Sequence, residues 1–80
     1  MPKQGSLSER INYAMEKQGL QQADLARMTG LSTAVISQIV SGKTENPTFS
    51  KVVLIAKALN VPIDYLAGNI SYAVIKIPKK

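Results

Sequence analysis

The chain has 80 residues, enough for one small domain with an economical core, since a chain this short buries only about 60–65% of the surface its unfolded form exposes. It has no Cys, no His and only five carboxylates, which excludes disulfides and thiolate metal sites and removes most means of acid–base, nucleophilic or metal catalysis; no enzyme, metal or cofactor is expected. Ten Lys and Arg against five Asp and Glu give a net charge of +5, the balance of a protein that meets phosphate, though many basic small proteins carry such charge without that use.

Hydrophobic residues make up 45% of the chain and are interrupted at regular intervals, and no apolar run nears the roughly 20 residues needed to cross a bilayer. No signal peptide is recognisable, so the cytoplasm is the expected compartment. Residues 1–5 read as a loose polar arm in which only Lys3 could meet a phosphate. From Ser6 or Ser8 a first helix is predicted to about residue 17, with Leu7, Ile11, Ala14 and Met15 on one face and Glu9, Arg10, Glu16 and Lys17 largely elsewhere. A second helix, about 22–28, turns Leu25, Ala26 and Met28 to a core and Asp24 and Arg27 to water. Its first turn offers backbone N–H groups beside Gln21 and Gln22, a natural seat for a phosphate; two idle glutamines are the plainer alternative.

Thr29-Gly30-Leu31-Ser32 follows, where Gly30 can take the positive φ that ends one helix and Ser32 can cap the next. The result is a helix, a tight turn and a second helix. The third helix, about 33–41, gathers Ile36, Ile39 and Val40 on a core face. Opposite lie Ala34, Ser37, Gln38 and Ser41, small or uncharged side chains where an ordinary solvent-facing helix carries Glu and Lys. Such a face lets the backbone approach a surface closely, and Gln38 can both donate to and accept from a base edge in the major groove. Thr33 sits between the two faces. Val35, also off the core face, is read as touching a thymine methyl, with a tolerated surface valine as the alternative.

Gly42 stops this helix, and in the turn-rich stretch 43–47 the side chains of Lys43, Thr44 and Asn46 could clamp a backbone phosphate, with Glu45 counting against a loop built for anions. Thr48 is placed to cap a fourth helix to about residue 60, with Phe49, Val52, Ile55, Ala56 and Leu59 at helical spacing. Val53, Leu54 and Ala58 extend its apolar surface, so it reads as a buried strut whose second face needs a cover from the fifth helix, the tail or a second subunit. Pro62 opens a short fifth helix that Gly68-Asn69 ends. Residues 70–80 change character: SYAVIKI is β-branched and aromatic and reads as one strand. With no other strand in the chain, it pairs with its twin in a symmetric dimer, is an unstructured tail, or leads into further sequence; pairing is the preferred reading.

Gly19-Leu20, Gln22-Ala23-Asp24-Leu25-Ala26, Thr29-Gly30-Leu31-Ser32, Ile36-Ser37, Ser41-Gly42-Lys43, Pro47 and Ile55-Ala56-Lys57-Ala58-Leu59-Asn60-Val61 together resemble the phage repressor and Cro type of helix-turn-helix proteins, also called the xenobiotic-response-element type. The similarity covers about residues 7–68. It implies a bundle of four or five helices whose third helix enters the major groove, in proteins that mostly act as dimeric repressors. By position, the resemblance implies a phosphate contact for Gln22 and base reading for Thr33, Ala34 and Gln38, with Ser37 on the same exposed arc. It implies a grip on the sugar-phosphate backbone for Ser41, Lys43, Thr44 and Asn46. Two departures stand out. Several relatives pair a basic residue in helix one with an acidic residue late in helix three, where this chain has Met15 and Val40, an exchange that can be neutral or stabilising. Ala34 stands where relatives often carry a longer polar side chain, so no relative's operator transfers.

The expected architecture is all-α: a compact five-helix bundle over residues 1–68 with a helix-turn-helix in helices two and three, then a tail, 69–80, with a short C-terminal β-strand for dimerisation. The expected function is a sequence-specific, double-stranded DNA-binding transcriptional regulator, a repressor, acting as a homodimer on a near-palindromic operator. No membrane and no small-molecule substrate is expected as a partner. The alternatives are an antitoxin, the N-terminal fragment of a longer repressor, or a helical protein-interaction module that binds no DNA.

Overall fold

Ser6 launches the first helix through a reciprocal cap: its hydroxyl accepts the Glu9 N–H at 3.3 Å, and Glu9 Oε1 accepts the Ser6 N–H at 3.0 Å. The computed structural model describes residues 6–44 and 46–68, which form α1 (Leu7–Gln18), α2 (Gln22–Thr29), α3 (Thr33–Ser41), α4 (Phe49–Leu59) and α5 (Ile63–Ala67). Among the described residues there is no strand, and no helix is long and apolar enough to cross a membrane. The expected N-terminal arm, Glu45 and the expected strand at 70–80 lie outside the described residues. The all-α, five-helix expectation agrees with this architecture.

All five helices contribute to one core. Ile11, Leu25, Ile36, Ile39, Ile55, Leu59 and Tyr65 are its largest fully buried members. α2 packs on α3 and α4, α1 on α3 and α5, and α4 on α5, so α3 is held by two helices and keeps one side open. Side chains also cap carbonyls near helix ends, which have no partner within their own helix. Gln18 Nε2 donates to the Leu59 carbonyl at 2.6 Å, and Asn12 Nδ2 donates to the Val40 carbonyl at 2.9 Å. The Tyr65 hydroxyl donates to the Arg10 carbonyl at 3.0 Å. Asn60, at φ 57°, ends α4 in the left-handed region, which Asn tolerates better than most residues.

Four expectations about burial need correction. Met28 is exposed, and Thr29 takes its place in the core, its hydroxyl donating to the Leu25 carbonyl at 2.8 Å. Phe49 is 75% exposed, because it starts α4 at the edge of the stripe formed by Val52, Ile55, Ala56 and Leu59. Arg10, expected outside, is buried in line with Ala14 and Gln18 along α1. Val35 is half-buried and packs against the core instead of standing clear of it. Thr48 occupies the N-cap position of α4, yet its side chain makes no capping hydrogen bond.

Candidate nucleic-acid interface

The turn between α2 and α3 is built by Thr29 and Ser32. The Thr29 hydroxyl, bonded back to α2, accepts the Leu31 N–H at 3.2 Å, and Ser32 Oγ accepts the Val35 N–H at 3.1 Å. Gly30 between them has φ 79°, the left-handed geometry that lets α2 stop and the chain reverse. With Ile36, Ile39 and Val40 buried beneath it, α3 presents Thr33, Ala34, Ser37, Gln38 and Ser41 to solvent. Those five lie along about 12 Å of helix, at 1.5 Å per residue. No carboxylate or cation stands among them.

The loop after α3 is fastened to this helix. The Gln38 carbonyl accepts the Thr44 N–H at 3.0 Å and the Ser41 hydroxyl at 3.2 Å. Lys43 is therefore carried at a fixed place beyond the helix end, exposed, while Thr44 is half-buried and Asn46 exposed. Thr44 and Asn46 are brought together with Ser6, Ser8 and Gly42 around one recess of about 360 Å³. Ser41 differs from the other expected backbone contacts. Its proton already serves the Gln38 carbonyl, so the hydroxyl must rotate away before it can donate to a phosphate oxygen.

Gln22 opens α2 and is exposed, on the helix packed directly against α3. Near it, the Asp24 carboxylate accepts the Gln21 N–H at 2.9 Å and pairs with Arg27 at 3.0 Å. The acidic group works against an anion at this helix start, and the exposed Arg27 pair offsets it only weakly. Two features escaped the sequence reading: the Asn12 tie to α3 and the Thr44 amide on Gln38. Both use backbone carbonyls as acceptors, which leave no mark on residue type. Among the described residues no group of His, Cys, Asp and Glu could hold a metal ion.

A family model described as helix-turn-helix matches residues 11–66. The chain belongs to this helix-turn-helix family. Its structural relatives make it the phage-repressor type. The nuclear magnetic resonance structure of the DNA-binding domain of the P22 c2 repressor is similar with a TM-score of 0.72 and 32% identity, covering 82% of this chain and 86% of that one. The crystal structure of the P22 c2 repressor in complex with a synthetic operator is similar with a TM-score of 0.74 and 33% identity, covering 82% and 98%. In sequence, this helix-turn-helix chain is 42% identical over 62 residues to HTH-type transcriptional regulators for the conjugative elements R391 of Providencia rettgeri and SXT of Vibrio cholerae. That stretch is 78% of this chain and 28% of each regulator, so the chain spans little more than a quarter of the length of these curated relatives.

Proposed function

We propose that this chain is a non-enzymatic, sequence-specific double-stranded DNA-binding transcriptional regulator of the cytoplasm, a repressor that occupies a near-palindromic operator as a homodimer with α3 in the major groove. The observation that carries this reading is the exposed arc of α3, free of carboxylates and backed by buried Ile36, Ile39 and Val40. The likeness to a repressor solved with a synthetic operator supports it. In this reading Gln38 reads a base edge by donating and accepting at once, Thr33 and Ser37 add single hydrogen bonds, and Ala34 lets the helix sit close or touches a thymine methyl. Gln22, Lys43, Thr44 and Asn46 hold the sugar-phosphate backbone, with Ser41 joining once its hydroxyl turns.

The reading also explains the need for two copies. α3 carries no Lys or Arg, so one copy holds DNA mainly through helix ends and Lys43. Joining two copies makes the second contact intramolecular, and two third helices about 34 Å apart then meet successive major grooves. Selection of bound sequences from a random DNA pool, followed by gel shift at two salt concentrations, tests the proposal. The expected result is one motif with two-fold symmetry whose affinity falls steeply with salt. A chain that forms no salt-dependent complex with any fragment is an interaction module instead.

A further inference from the structure

Among the exposed residues of α3, only Gln38 can donate and accept at once through one planar group. Its carbonyl is held by the Thr44 N–H at 3.0 Å and the Ser41 hydroxyl at 3.2 Å, so the side chain grows from a fixed root. Its own amide has no hydrogen-bond partner among the described residues. Ala34, one turn earlier on the same face, presents a bare methyl group to solvent. We propose, on the reading that puts α3 in the major groove, that each half-site is read at adjoining A·T pairs, with Gln38 on an adenine and the Ala34 methyl against a thymine methyl.

The chemistry of the arc decides against G·C. Guanine shows two acceptors, N7 and O6, that call for a guanidinium or an ammonium, and cytosine shows a donor that a carboxylate takes. Neither kind of side chain occurs between Gly30 and Gly42. Adenine sets an acceptor, N7, beside a donor, the N6 amino group, and a carboxamide matches both at once. Thr33 and Ser37 suit either pair, because a hydroxyl donates and accepts. Ala34 offers only apolar contact, and the apolar group on the floor of the major groove is the thymine C5 methyl. Four residues of helix advance about 6 Å, less than two base-pair steps of roughly 3.4 Å, so the adenine and the thymine belong within two pairs of each other.

Duplexes selected from a random pool by the full chain, then remade with single base changes, test the proposal. At one A·T pair of each half-site, exchange for G·C should weaken binding about 5- to 150-fold, and Gln38→Arg should reverse that preference. Within two pairs of it, uracil in place of thymine removes only the methyl and should weaken binding about fourfold. In Ala34→Gly the uracil and thymine duplexes should bind equally, a comparison within one variant that cancels any general loss from a glycine in the helix. A two-fold motif whose core pairs are G·C, or one indifferent to uracil at every thymine, overturns the proposal without displacing α3 from the groove. An A·T preference that persists unchanged in Gln38→Ala overturns it in favour of DNA shape as the source of that preference. Recovery of no motif at all overturns the placement of α3 and the proposal with it.

Discussion

Asn12 holds the Val40 carbonyl at 2.9 Å while its second amide proton goes to the Ser8 carbonyl at 2.8 Å, so one side chain joins the middle of α1 to the last turn of α3. Asn12→Ala leaves the Val40 carbonyl without that donor and should cost about 1–2 kcal/mol of stability. Urea denaturation measures the loss, and amide exchange at Gly42, Lys43 and Thr44 should speed up more than exchange in α5.

Gly42 meets two demands where Gly30 meets one. Both are left-handed, at φ 88° and 79°, but a Cβ on Gly42 would lie 3.3 Å from Ser8 Oγ, whereas Gly30 has nothing within 4 Å. Gly30→Ala should cost about 1–2 kcal/mol from backbone strain alone. Gly42→Ala should cost more, and Ser8→Ala should recover part of the excess, which a double-mutant cycle by thermal denaturation reads directly.

Base readers and phosphate holders separate by how they fail. Gln38→Ala should lose about 1–3 kcal/mol of discrimination at one operator position. Lys43→Gln should weaken every sequence alike and lower the slope of log affinity against log salt by about one. Unchanged base preference in Gln38→Ala, measured by selected-site binding, would remove that residue from the readout.

Ile36 is the root of the exposed arc, fully buried beneath Thr33, Ser37 and Gln38. Ile36→Ala should cost about 2–5 kcal/mol, a large part of the roughly 5–15 kcal/mol available to a whole domain. Calorimetry should show a lowered melting temperature, and DNA affinity should fall with it while the surface chemistry is untouched.

The five helices, their order and the outward arc of α3 were legible in the sequence, because apolar spacing and the turn residues agreed with each other. Three of the four errors fall where residue type and helical position disagreed and position prevailed; the fourth, Val35, lies off the core face of α3 and packs against the core all the same. Arg10, Ala14 and Gln18 repeat every four residues and all three are buried, although two of them are polar. In α2, Thr29 completes the face of Leu25 and Ala26, while the more hydrophobic Met28 lies off that face and stays exposed. Phe49 has the hydropathy of a core residue and a place at the edge of the α4 stripe. At the candidate site the sequence located the side chains, but not the bonds from the Thr44 amide and the Ser41 hydroxyl to the Gln38 carbonyl. Those acceptors belong to the backbone and acquire neighbours only once the chain is folded.

Met15 and Val40 both lie in the core, 5% and 6% exposed, so α1 meets α3 there through hydrocarbon and an amide instead of a buried ion pair. Dissolved ions act strongly on exposed charges and hardly at all on a seam of this kind. On the proposed reading, electrolyte concentration becomes a dial for occupancy alone. Raising it should release the operator while the melting temperature of the free protein holds or climbs, leaving intact molecules ready to rebind on dilution.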